Sequence, residues 1–329
     1  MRNLTYGRYR SAILPMVLLL SLFMYFLLGE STIALADSPY TYNDLEHDLV
    51  LLQSRYPDKI FLCSIGKSVY GRELYAVRIG TGKKVILLSG AHHAREWMTS
   101  MLLMKMAALY AADSNEAPLL DAGTIWIVPM VNPDGVAIQQ GDFTDIPWKE
   151  RIGLWKMNHL SFSFTKWKAN GRGVDLNRQY PAGWMEINTG IQRPSYQFYK
   201  GKSPLSEPET EALAEFTKII RPAISAAYHS TGQEIFWHYR THGLQKDRDY
   251  RIAKIVAERT GYRLSKPDKH AVGSGFTDWL IEEYKIPAMT IEIGTERENT
   301  EVPLREFEAE WKANRDIGWI LLKEALRLR

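Results

Sequence analysis

Four short stretches of the chain hold side chains whose types and spacing could do chemistry. In "GAHHAREWMTS" (90–100), two adjacent histidines stand three and four residues before a glutamate, although the 329 residues contain only eight histidines. His93 and Glu96 are placed at i and i+3 across a strand end and a helix start. From there a ring nitrogen and a carboxylate can converge on one point, which suits zinc, and a third ligand with one open position would make a catalytic site. A helix-capping glutamate beside a locally bonded histidine reads the same tetrapeptide equally well. The third ligand has a candidate in His229 of "AAYHSTGQ", directly after an apolar run, whose ordinary reading is a polar residue ending a strand. His47, His159, His238 and His242 lie in a helix, in an irregular region or beyond a strand end. In "PAMTIEIG" (287–294), Glu292 interrupts an apolar strand. A carboxylate there is costly unless paired or hydrogen-bonded, so it either faces a cleft, where it could serve as a general base, or faces solvent from an edge. In "WKANGRGVDLNRQYPAGW" (167–184), Arg172 and Arg178 flank "GVDLN". Two guanidiniums can bind a carboxylate or a developing oxyanion, or stay solvated as loop arginines usually do.

The elements that must position these groups follow from periodicity. Leu45, Leu49 and Leu52 recur at helical spacing after a Thr41/Asp44 cap, which predicts a helix over 42–55. Strands are expected at 73–80, 84–90, 124–130, 223–228 and 288–293, the apolar ones buried on both faces. Helical patterns cover 96–112, 247–260 and 303–328. A Ser206/Glu209 capping box with Pro208 opens another helix to about residue 219. "NPDG" (132–135) reads as a turn, and 140–205 as long, aromatic functional loops. Strands alternating with helices predict a mostly parallel sheet between helix layers. Ligands in such sheets bind beyond the carboxyl ends of strands, where His92 and His93 lie.

At the N-terminus, Arg2, Arg8 and Arg10 precede an apolar stretch from Ile13 to Leu28, followed by Ala34-Leu35-Ala36. A basic region, an apolar region and a small-residue cleavage site describe a signal peptide over 1–36, hence a secreted or cell-envelope protein, with 37–329 as the catalytic domain. An uncleaved membrane anchor is the alternative, and only in that case is a membrane a partner. Net charge is +3 with no basic run, which excludes nucleic acid as a natural partner. Cys63 is the only cysteine, so no intrachain disulfide can form, and stability must come from packing or a bound ion. With 45% apolar residues and ten tryptophans, the chain can build a sizeable core.

Taken in order, "HAREW", "NPDG", "GVDLNRQYP", "HSTGQ" and "TIEIG" resemble the zinc carboxypeptidase A-like metallopeptidases over nearly all of the chain after residue 36. Within that family "AHHAREWMTS" and "GFTDW" resemble the bacterial γ-D-glutamyl-diamino acid endopeptidases. The resemblance implies a single three-layer α/β/α domain with a mixed, mostly parallel eight-stranded sheet and one Zn2+ per chain. It implies that His93, Glu96 and His229 bind zinc, with His92 a bystander. It implies that Asp175 hydrogen-bonds the far nitrogen of His93, and that Glu292 is the general base. Asn177 and Arg178 would clamp a substrate carboxylate, Arg95 would line the approach, and Thr277 would form the floor of the side-chain pocket. Two positions depart from the family pattern. His270 stands where the pancreatic-type enzymes carry a tyrosine that closes over substrate. The oxyanion-binding position falls on Lys168, with Arg172 four residues on; Arg172 is preferred here for its planar fork, and Lys168 is the alternative. The expected substrate is a peptide, of the bacterial cell wall by the branch resemblance, or an ordinary C-terminus in a general carboxypeptidase.

Overall fold

In a computed structural model of the chain, residues 38–266, 273–298 and 300–328 are described. Helix α1 (Tyr42–Arg55) forms as its sequence predicts: the Thr41 hydroxyl accepts the Asp44 N–H at 3.1 Å, and Asp44 accepts the Thr41 N–H at 2.8 Å. Leu45, Leu49 and Leu52 form its buried face, each stabilising the packed state by roughly 1.5–3 kcal/mol.

The strands are β1 (Ile60–Lys67), β2 (Glu73–Ile79), β3 (Lys84–Gly90), β4 (Gly123–Val128), β5 (Ile224–Ser230), β6 (Glu234–Phe236), β7 (Arg263–Leu264) and β8 (Ala288–Ile293). They make one sheet in the order β1-β2-β4-β3-β5-β8-β6-β7. The central β4, β3, β5 and β8 run parallel, and antiparallel pairings join β1 to β2, β2 to β4 and β6 to β8. The further helices are α2 (Met98–Ala112), α3 (Ala117–Ala122), α4 (Pro133–Gln139), α5 (Trp148–Met157), α6 (Pro208–Ile220), α7 (Gly243–Thr260), α8 (Phe276–Glu283), α9 (Phe307–Asn314) and α10 (Ile317–Arg327). One apolar cluster packs α1, α2 and α10 on one face of the sheet, and a second packs α6 and α8 on the other. This is the expected α/β/α arrangement with a mixed, mostly parallel eight-stranded sheet. Residues 38–329 form one compact unit with apolar clusters of its own, as a segment that folds by itself does.

Three local expectations are corrected. "NPDG" is a helix start, not a turn: the Asn132 side chain caps α4 through the Gly135 N–H at 3.0 Å, with Pro133 in the first turn. The Ser206/Glu209 capping box does not form. Ser206 donates to Gln179 at 3.1 Å, while the buried Glu209 carboxylate accepts from the Val69 N–H and from Asn170, both at 3.2 Å. Long-range partners outcompete the local cap. The closing helix is broken at Arg315–Asp316 into α9 and α10.

Burial pushes the Glu209 carboxyl up to about 7. Its unfolded value is near that of a free glutamate, so between about pH 4.5 and 7 the folded state holds a proton the unfolded state has lost. Stability contributed by this group therefore falls as pH rises through that window, by roughly 3 kcal/mol in total. Urea midpoints at pH 5 and pH 7.5 test this: Glu209→Gln gains stability relative to the parent on going to the higher pH, whatever constant offset the amide brings. Parallel pH profiles for the two proteins contradict it.

Candidate metal centre and active site

The carboxyl ends of β3, β5 and β8 lie side by side, and the site grows from them. β3 ends at Gly90, where a Cβ would meet the Leu103 side chain at 2.8 Å and the Pro129 carbonyl at 3.1 Å, so the lack of a side chain lets α2 pack closely against the strand end. Ala91 follows in the left-handed region (φ 48) and turns the chain into the short helical turn Ala94–Glu96. That turn puts His93 and Glu96 on its inner side, both buried. His229 comes from the last part of β5, directly beside Glu292 of β8 in the strand register.

Three donors converge. His93 Nδ1 is 2.8 Å from Glu96 Oε1, His229 Nδ1 is 2.9 Å from Glu96 Oε2, and the two Nδ1 atoms are 3.1 Å apart. On the opposite edge of the His93 ring, Nε2 donates to Asp175 Oδ1 at 3.1 Å. The proton is thereby kept on Nε2 and the Nδ1 lone pair points at the cluster, as second-shell carboxylates arrange for metal-binding histidines. A tetrahedral zinc with ligand bonds of about 2.0–2.1 Å sets neighbouring ligand atoms roughly 3.4 Å apart. Two imidazoles and a carboxylate, buried and facing one another at nearly that spacing, fit a single zinc ion. Among the described residues this is the group of histidine and acidic side chains able to hold a metal.

The electrostatics agree with a cation-binding cluster. Burial pushes the Glu96 carboxyl up, but His93 and His229 outweigh it and hold Glu96 below the usual range. Burial lowers His229, leaving a neutral ring with a lone pair to offer. Asp175 is likewise raised by burial and pulled well down by Lys168 and His93. Glu292 is half-buried; burial first, and the nearby Glu96 carboxylate second, push it well above an ordinary glutamate, while Lys168 and Arg178 pull the other way.

The remaining expected residues divide. Lys168 is buried, with Nζ 3.3 Å from Asp175 Oδ2 and 4.8 Å from the centre of the Phe198 ring. Burial lowers its ammonium, against the pull of Asp175. Arg172 is not with this group: its side chain is 53% exposed and pairs with Glu207 at 3.6 Å. The reason is local. Asn170 Oδ1 accepts the backbone N–H of both Arg172 and Val174, each at 3.0 Å, closing a tight loop whose tip carries position 172 outward. Lys168, rather than the preferred Arg172, is thus the cation that stands beside Asp175. Asn177 Oδ1 accepts the Phe276 N–H at 3.0 Å, and Arg178 donates to the Asn177 carbonyl at 2.8 Å. Arg95 is tied to the Lys166 carbonyl and to Gln197. Thr277 is buried and bonded to Thr290 of β8 at 2.9 Å. His270 lies outside the described residues. His92 turns away from the donors: its Nε2 is 3.2 Å from the Tyr180 hydroxyl, and its ring stacks on that of His229.

Asn132 was not legible as a site residue. Fully buried, its amide donates to the His92 and Ala169 carbonyls, both at 3.1 Å, fastening the His93 turn to the loop that carries Lys168. The Ala94 N–H donates to the Lys168 carbonyl in the same seam. The signal was there in "NPDG", but a turn reading gives its side chain only a local job.

Comparison with known proteins agrees with this geometry. Residues 45–317 match the zinc carboxypeptidase family model. The chain is 32% identical over 283 residues to γ-D-glutamyl-L-diamino acid endopeptidase 1 of Lysinibacillus sphaericus, covering 82% of this chain and 68% of that one. It is 30% identical over 212 residues to metallocarboxypeptidase A of Trichophyton tonsurans, covering 61% of this chain and 45% of that protein. In fold it resembles bovine thrombin-activatable fibrinolysis inhibitor, solved in complex with tick carboxypeptidase inhibitor, at a TM-score of 0.68 and 20% identity over 88% of this chain and 97% of that one.

Proposed function

The chain belongs to the zinc carboxypeptidase family and is a zinc peptidase, and from that premise we propose that it is an exported enzyme cutting bacterial cell-wall peptides at a γ-D-glutamyl-diamino acid bond. The observation that carries the chemistry is the meeting of His93, Glu96 and His229 within 4.8 Å of one another, with Glu292 on the adjoining strand. Zinc, when held there, supplies a Lewis acid that polarises the scissile carbonyl and acidifies water.

The chain's own groups do the rest. Glu292 takes a proton from the attacking water as its oxygen bonds the carbonyl carbon, and returns that proton to the nitrogen as the C–N bond breaks. Lys168 donates N–H to the oxyanion that develops on the carbonyl oxygen. Its buried ammonium is held by Asp175, which also fixes His93. The Asn177 side-chain oxygen is spent on the Phe276 N–H, so its Nδ2 and the Arg178 guanidinium are the groups that grip a substrate carboxylate. Arg95 borders the entry. Thr277, engaged with Thr290, offers no acid to pair with a basic side chain, which argues against a preference for terminal Lys or Arg.

The wall-peptide assignment rests on the relative from Lysinibacillus sphaericus, whose name states that bond, and on the carboxylates such peptides present to Asn177 and Arg178. Export rests on the signal-like pattern at 1–36, which lies outside the described residues. Purified protein offered a γ-D-glutamyl-diaminopimelate peptide, an ordinary peptide with a free C-terminus and one with a blocked C-terminus should cleave the first, and lose that activity with chelator. Release only from the ordinary free C-terminus would move the function to a general metallocarboxypeptidase, the reading that the Trichophyton relative supports.

A further inference from the structure

Helix α5 shows solvent the kind of face that surface helices normally hide. At 3.6 residues per turn, Trp155, Trp148 and Ile152 fall within roughly 60° of one another around its axis. Its inner side is already satisfied, with Leu154 packed into a small cluster beside Trp167 and Ala169. Trp148 is 66% and Ile152 46% exposed, and the following loop adds Leu160 at 56% and Phe162 at 87%. Phe162 stacks on Trp155 with centroids 5.6 Å apart, so the ridge continues from the helix into the loop.

Cations border this ridge. Lys149 and Lys156 follow one flank of the helix and Arg151 the other, with Lys166 beyond, all exposed. Glu150 is the only acidic residue between 148 and 166. Among the described residues Lys149, Lys156, Lys166 and Arg193 enter no ion pair. Beside the ridge a cavity of about 600 Å3 is lined by Lys156, His159, Gln192, Arg193 and Ser195, among others.

We propose that this ridge and cavity are a docking surface for an anionic phospholipid bilayer. Trp148, Ile152, Leu160 and Phe162 enter the boundary between headgroups and acyl chains, as apolar residues of interfacial helices do. The lysines and Arg193 meet the lipid phosphates, and their long stems let the ammonium heads reach the surface while the ridge sinks. Aromatic rings alone would also stack on sugars, but exposed Ile152 and Leu160 gain only from an acyl layer. A lysine-rich border is the opposite of a protein–protein interface, which is depleted in lysine.

The test uses residues 38–329, which carry their own core and lack the apolar N-terminal stretch, so vesicle binding reports on this surface alone. The protein should sediment with phosphatidylcholine vesicles that contain phosphatidylglycerol and not with phosphatidylcholine alone. Binding should weaken with salt, and tryptophan emission should shift to the blue. The triple variant W148A/I152S/F162S and the charge variant K149E/K156E/R193E should each lose about tenfold or more in partitioning, with thermal midpoints unchanged, since every altered side chain is at the surface. Failure of the parent protein to bind phosphatidylglycerol vesicles overturns the proposal. So does an apolar variant that binds as tightly as the parent while soluble polyphosphate displaces both, because the surface would then read polyanions rather than lipid.

Discussion

Glu292→Gln should keep its zinc and lose roughly three orders of magnitude in turnover, the scale set by removing a general base. The amide has nearly the same shape and reaches the same place on β8, beside His229 in the strand register. What it lacks is the ability to take a proton from water and return it to the leaving nitrogen. Because Glu292 belongs to neither the His93 pair nor the His229 contact with Glu96, metal content should stay at one ion per chain. Metal analysis and peptide turnover on the same sample decide the matter. Near-normal turnover would remove Glu292 from the chemistry, and loss of the metal would make it a structural part of the site instead.

Lys168→Ala should cost two to three orders of magnitude in kcat with a small change in KM, whereas Arg172→Ala should be nearly silent. An oxyanion donor acts on charge that appears only in the transition state, so its removal falls on kcat, and about 10²–10³ is the usual loss. Lys168 is buried against Asp175, and Arg172 stands at the outer tip of its loop. Lys168→Arg is the informative partner: a guanidinium restores charge but not the compact reach of the ammonium, so partial recovery is expected. Equal losses from Lys168→Ala and Arg172→Ala would return the role to the pair as a whole.

How much of this was readable beforehand depended on whether the physical signal was local. The central strands were legible because burial on both faces leaves continuous apolar runs such as "KVILLSG" and "TIWIVPM". β1 was not, since an edge strand with a half-exposed Cys63, an exposed Ser64 and a bulge near Gly66 carries no clean alternation. β6 and β7, at three and two residues, are too short to leave a period. His93 and His229 could be singled out because a polar group at the end of an apolar strand is conspicuous, Glu96 by its spacing from His93, and Glu292 because it interrupts an apolar strand. The choice between Lys168 and Arg172 turned instead on the direction a loop faces. That direction is set by Asn170, through hydrogen bonds two and four residues along the chain, and no residue-type argument contains it. The same holds for Glu209, whose partners lie 39 and 140 residues away.

The pairing of residue 229 with residue 292 across two hydrogen-bonded strands has an evolutionary side. A catalytic distance written into a sheet ladder is copied whenever the sheet is copied, so it needs no closing segment to assemble it at each turnover. Diversification is then left to the long excursions between strands, above all the parts of the stretch from α5 to α6 on either side of residues 168–178, where insertion or replacement can redirect the enzyme to a new peptide without disturbing bond cleavage. Descendants of such a scaffold should differ in diet far more readily than in reaction.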